Sequence, residues 1–117
     1  MQQLTRTANQ QVPHETFKAA AQLVVSAKTR RFSRLKIVVA HMGGSTLALA
    51  PRVAGLARYM GAPLSEDDIL GEFRRFWWDT ALSGGGPQAS LTAGGTDRIL
   101  WGSDFPGELP VKGILRM

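Results

Sequence analysis

Three polar residues stand directly after short apolar runs, where they could do chemistry. His41 follows Ile37-Val38-Val39-Ala40. Asp79 follows the aromatic run Arg75-Phe76-Trp77-Trp78. Asp104 closes Ile99-Leu100-Trp101-Gly102-Ser103. In α/β sheets and barrels, reactive groups collect where strands give way to loops at their C-terminal ends. A histidine and an aspartate converging at one such mouth suit a metal site or an acid–base pair. Gly43 and Gly44 would let the backbone turn sharply after His41 and leave room beside the imidazole. Each residue also has a plainer reading: His41 as a hydrogen-bonded structural residue, Asp104 as a turn or cap, and Asp79 as the cap of the following loop, which is the better reading for it. His14, between Pro13 and Glu15, reads as a helix-start residue.

The elements that would position these groups alternate. Phe17, Ala20, Ala21, Val24 and Ala27 recur at three- and four-residue spacing, predicting an amphipathic helix from Glu15 to about Lys28. Leu35 to Ala40 predicts a strand apolar on both faces, as in a parallel sheet. Ser45 to Tyr59 reads as a helix, started or kinked by Pro51. Ser65-Glu66-Asp67-Asp68 resembles a capping box opening a two-turn helix. Arg75–Thr80 is a second strand and Arg98–Trp101 a third. Ser83–Pro87 reads as a flexible turn and Gln88–Ala93 as a short helix. The glycines of that turn lack the Lys-Ser/Thr of a phosphate loop. The order α, β, α, α, β, α, β predicts an α/β protein with a parallel sheet.

Composition narrows the chemistry. The 117 residues allow one small domain. No cysteine is present, which excludes disulfides, thiolate metal sites and a cysteine nucleophile. Two histidines are too few for an all-histidine metal cage. No apolar run approaches the roughly 20 residues that span a bilayer, and the polar start lacks a signal-peptide stretch. The expectation is a cytoplasmic protein with no membrane partner. The net charge of +5 is uneven, +8 over residues 1–60 and −3 over residues 61–117. The basic stretch Lys28–Lys36 could meet phosphates. It reads better as a helix end and loop whose cations complement the helix dipole, so no nucleic-acid partner is expected.

Taken jointly, Phe32-Ser-Arg-Leu-Lys-Ile-Val-Val-Ala-His41-Met-Gly-Gly44, Arg52, Asp79-Thr-Ala-Leu-Ser83 and Asp97-Arg-Ile-Leu-Trp-Gly-Ser-Asp-Phe-Pro106 resemble the C-terminal part of the amidohydrolase-related metal-dependent enzymes. The likeness is closest to the branch of aminocarboxymuconate-semialdehyde decarboxylase and 6-methylsalicylate decarboxylase. Pro13-His-Glu-Thr16 resembles the start of the helix after the fifth strand in that branch. The resemblance implies a partial (β/α)₈ TIM barrel, about its last three βα units. It divides the chain into a polar segment 1–12, a barrel portion 13–106 and a tail 107–117. It implies a carboxy-lyase acting on a small aromatic or enoic carboxylic acid, with metal-dependent hydrolysis or a non-catalytic remnant as alternatives. His41 would be the catalytic acid/base, Asp104 a ligand to a divalent metal, usually zinc, and Arg52 the grip on a substrate carboxylate across a homodimer interface, a role that suits its planar fork. The family's first-strand His-x-His pair and fifth-strand histidine have no counterpart here. The chain thus reads as a C-terminal fragment, inactive in isolation.

Overall fold

The computed structural model describes residues 12–81 and 97–103. Helix α1 spans Val12–Val25, followed by the short α2, Lys28–Arg31. Strand β1 is Val38–Val39, α3 is Thr46–Ala57, α4 is Glu66–Phe73, β2 is Trp77–Asp79 and β3 is Ile99–Leu100. The three strands lie side by side in the order β1-β2-β3, both pairs parallel, with Val39 opposite Trp78 and Trp78 opposite Ile99. The parallel sheet in sequence order agrees with the alternating pattern. The expected short helix over 88–93 and the turn over 83–87 lie outside the described residues, as do Asp104 and the segments 1–11 and 107–117.

Several boundaries differ from expectation. Helix α1 starts a turn early, because Pro13 sits in the first turn, where a missing N–H leaves no bond unmade. It stops at Val25 instead of Lys28 because Ala27 turns left-handed, with φ at 61°, and its N–H bonds back to the Val24 carbonyl at 3.0 Å. Pro51 does not start α3; it lies inside it, on the exposed side. The first strand is two residues long rather than six.

The larger correction concerns the sheet faces. Side chains alternate along a strand, so Val39, Trp78 and Ile99 share one face and Val38, Trp77, Asp79 and Leu100 the other. The first face is covered. Helices α1, α3 and α4 pack on one another and on that face, burying Ala20 and Val24, Ala50, Ala54 and Ala57, Ile69 and Phe73 with Val39, Phe76 and Trp78. Alanines on α3 let the helices approach closely. Phe73, Phe76 and Trp78 fill the remaining depth in tilted and edge-on contacts, with ring centres 6.3 and 6.1 Å apart. The second face is open, so β1 is not buried on both sides: Val38 is 52% exposed and Leu100 40%. Lys36 and Arg98 stretch over the Trp77 ring there, 5.9 and 5.6 Å from its centre.

The capping box forms. The Ser65 hydroxyl accepts from the Asp68 N–H at 3.1 Å, and the Asp68 carboxylate accepts from the Ser65 N–H in return. Asp68 also takes a bond from Arg30 at 3.0 Å, while Arg30 and Arg75 pair the buried Glu72 at 3.4 and 3.2 Å. A buried carboxylate requires such partners. Part of the basic stretch is therefore spent on fastening α2 to α4. The Arg30 guanidinium, with the Ser65 hydroxyl, holds the Asp68 carboxyl below its ordinary value of 3.8. A depressed carboxyl pKa stabilises the fold fully above the unfolded value, and that contribution fades as pH falls through the lower folded one. Urea unfolding between pH 5 and pH 2 should therefore show stability falling less steeply in Asp68→Asn than in the parent chain, mostly below the ordinary carboxylate range. Parallel curves would show that the pair contributes nothing.

Candidate active site

The chain leaves β1 through a turn that few sequences adopt. His41, Met42, Gly43 and Gly44 all have positive φ, at 53°, 55°, 75° and 58°. For His41 and Met42 this left-handed conformation costs roughly 1–2 kcal/mol each, so other contacts must hold it. The Gly43 N–H bonds the Ala40 carbonyl at 2.8 Å and the Gly44 N–H bonds the His41 carbonyl at 3.0 Å. Met42 is buried in the core. Thr46, fully buried, donates its hydroxyl to the Gly43 carbonyl.

The glycines do turn the backbone, but the space beside them is filled. A Cβ on Gly43 would lie 2.5 Å from the Trp78 ring, and one on Gly44 would lie 2.2 Å from the Pro13 carbonyl oxygen. The space their side chains would take is thus used to seat β2 and the start of α1 against the turn. His14 joins the same junction, its Nδ1 hydrogen-bonded to the Ser45 hydroxyl at 3.1 Å. That is a helix-start contact, not one aimed at the mouth.

The turn presents the half-buried His41 ring to the end of β2. Its Nδ1 lies 2.7 Å from the Ala81 carbonyl oxygen. A carbonyl only accepts, so Nδ1 carries the proton and donates it. In the neutral form of the ring the unprotonated nitrogen is therefore Nε2, which has no partner among the described residues. Ala81 is buried, and its own N–H donates to Asp79 Oδ1 at 3.0 Å. Asp79 therefore caps the loop after β2, as its better reading held, and that loop in turn holds the histidine. The Asp79 carboxylate lies against Gly102, where a Cβ would fall 1.8 Å from Oδ1. The Gly102 N–H donates to the Thr80 hydroxyl at 3.2 Å, and the Thr80 N–H to the Leu100 carbonyl at 3.0 Å.

His41 and Asp79 are thus linked through Ala81 at the C-terminal edge of the sheet, beside the end of β3. Asp104 falls just past the described residues. Arg52 is exposed on α3, in the helix that follows His41. Among the described residues no three His, Asp or Glu side chains come together as a metal shell. No described helix is long and apolar enough to cross a membrane. The residues that sequence reasoning missed are Ala81, which acts through its main chain, and Thr46 and Gly102. A glycine just past a strand signals close approach of another group, and at Gly102 that group is the Asp79 carboxylate.

Residues 8–113 match the sequence profile of the amidohydrolase family, Amidohydro_2. The chain belongs to that family. Relatives within reach include decarboxylase yanB of Aspergillus niger, 35% identical over 100 residues, covering 80% of this chain and 27% of that protein. The 6-methylsalicylic acid decarboxylase of Penicillium expansum is 33% identical over 108 residues, covering 89% of this chain and 33% of that protein. The fold is similar to that of 5-carboxyvanillate decarboxylase LigW from Sphingomonas paucimobilis, with a TM-score of 0.71 at 26% identity over 89% of this chain and 33% of that one. The chain spans about a third of the length of these proteins.

The turn's dependence on glycine is directly testable. Gly43→Ala adds a Cβ that clashes with the Trp78 ring, at a left-handed position. It should lose about 2–4 kcal/mol, from the conformational and overpacking penalties together, in urea unfolding followed by tryptophan fluorescence. A loss within experimental error would mean that the turn is not packed as described.

Proposed function

We propose that this chain is the His41-bearing portion of a metal-dependent decarboxylase acting on a small aromatic or enoic carboxylic acid. One observation carries the reading: a histidine at the sheet's C-terminal edge has one nitrogen fixed by the main chain and the other left bare, within a chain whose relatives are named decarboxylases. Those names favour carbon dioxide release over hydrolysis. The architecture is read as about the last three units of a (β/α)₈ barrel within residues 13–106. Two features support it: parallel strands in sequence order, and helices on one face with the other face open. In a closed barrel the helix-covered face is the outside and the open one turns inward.

The proton chemistry follows from the ring. Because Nδ1–H is held by Ala81, every proton that His41 gains or loses is at Nε2. In the reaction the bond from the substrate carbon to its carboxylate breaks and carbon dioxide leaves. The electron pair stays on that carbon and takes the proton that Nε2 has first accepted from solvent, which returns the ring to its neutral form. Arg52, whose fork matches a carboxylate, is assigned to the substrate from a neighbouring subunit of a homodimer, and its exposure leaves it free for that. Asp104 is assigned to a divalent metal, zinc by preference, whose chemistry when bound is to orient the acid. The described side chains do not form a metal shell by themselves, and the step they supply is proton transfer. The cytoplasm is the compartment that goes with this reading.

Two measurements test it. Calorimetric titration of the chain with zinc should show weak, non-stoichiometric binding, since catalytic zinc generally takes three protein ligands; one tight site per chain would contradict the ligand assignment. The second uses a chimera in which residues 13–106 replace the matching third of the Penicillium expansum decarboxylase. It should release carbon dioxide from 6-methylsalicylate, and His41→Ala should lower that rate by roughly 10²–10⁴-fold. An active chimera indifferent to His41→Ala would refute the role.

A further inference from the structure

We propose that Asp79 is a positioning residue for His41, acting through the main chain of Ala81. The inference rests on reading His41 as the proton carrier, and it adds what sets that carrier's tautomer. The geometry is a chain of two hydrogen bonds. Asp79 Oδ1 accepts from the Ala81 N–H at 3.0 Å, and the Ala81 carbonyl oxygen accepts from His41 Nδ1–H at 2.7 Å. The first bond fixes the orientation of the turn at Asp79-Thr80-Ala81, an arrangement that aspartate favours over most residues. The second transfers that orientation to the imidazole.

The direction of the effect is specific. Free histidine favours the tautomer with its proton on Nε2, which would leave Nε2 unable to accept a proton. A buried carbonyl aimed at Nδ1 reverses that preference, and Ala81 is buried. The carbonyl stays aimed only while the turn is capped. Asp79 is in turn held by its neighbours: its carboxylate lies where a Cβ on Gly102 would be, at 1.8 Å, and the Gly102 N–H is tied to Thr80 within the same turn. Gly102 thus has a stated job, to admit the Asp79 carboxylate between β2 and β3. A carboxylate that served only the fold could cap the loop with no consequence for a side chain on β1's exit turn. Here the residue whose N–H is capped, Ala81, is the one whose carbonyl meets His41.

The test reads the tautomer directly. The 117-residue chain is labelled with nitrogen-15 in its two histidines, and His14→Gln assigns the signals. At pH 8.5 in the parent chain, His41 Nδ1 should resonate as a protonated, pyrrole-type nitrogen and Nε2 as a bare, pyridine-type one. Asp79→Ala should shift Nδ1 toward the pyridine type as the Nε2–H form takes over. Asp79→Asn should restore the parent spectrum, because its amide oxygen still accepts the Ala81 N–H. Gly102→Ala, which displaces the carboxylate without removing it, should move the signals the same way as Asp79→Ala and decides the matter if that variant does not fold. A protonated Nε2 in the parent chain, or a folded Asp79→Ala or Gly102→Ala whose His41 signals are unchanged, would overturn the proposal. The readout needs no turnover, so a failure of this proposal and a failure of the decarboxylase reading are told apart.

Discussion

The hydrogen bond from His41 Nδ1 to the Ala81 carbonyl joins the two strand ends on which the site depends. Parallel strands β1 and β2 are linked along their length by only a few backbone bonds, because β1 is two residues long. At their C-terminal edge this one contact fixes the distance between the exit turn of β1 and the loop after β2. Without it, the left-handed run from His41 to Gly44 would lose its tie to the end of β2 and would rest on its own two backbone bonds, the burial of Met42 and the packing around Gly43. Two non-glycine residues in that conformation cost on the order of 1–2 kcal/mol each. That is a sizeable share of a small domain's total stability of about 5–15 kcal/mol. The Trp78 ring against Gly43 and the Thr46 hydroxyl on the Gly43 carbonyl complete the restraint from beneath. Strain concentrated at a reactive residue, and held by surrounding packing, is common at functional sites.

The helical layer makes that packing possible. Helix α3 begins immediately after the turn and lays Ala50, Ala54 and Ala57 against the core. Helix α4 is entered through a complete capping box and fastened to α2 by Arg30. It carries Ile69 and Phe73 under the sheet, and β2 follows it after three residues. The covered face of the sheet is therefore rigid where Trp78 meets Gly43. The open face carries Val38, Trp77, Asp79 and Leu100, and His41 follows β1 at its C-terminal edge.

Much of this was legible in the residues. Alternating helical and apolar runs gave the parallel sheet and its order, Ser65 and Asp68 spelled out the cap, and the positions of His41 and Asp79 at strand ends placed them together. Other parts were not. The left-handed φ of His41 and Met42 has no compositional signature, since neither is glycine. The partner of His41 is a main-chain carbonyl, and a backbone group cannot be picked out from residue types. The same holds for the length of β1: Leu35 to Ala40 has the composition of a full strand, but strand pairing needs a neighbour, and only Val38 and Val39 pair with β2. The open face escaped for a related reason. Apolar residues on both sides of a strand signal that both sides suit burial, while the partner for the second side is not encoded in these residues.

A family match over residues 8–113 in a chain spanning a third of its relatives' length makes the fate of His41 the central question. The most direct measurement is a crystal structure of the 13–106 chimera with a non-reactive aromatic acid bound. The account predicts that His41 Nδ1 stays on the Ala81 carbonyl while Nε2 faces the carbon bearing the carboxylate at roughly 3–3.5 Å, the separation of a near-attack arrangement. A ring turned so that Nε2 meets protein instead, or an acid bound away from the C-terminal edge of the sheet, would contradict it.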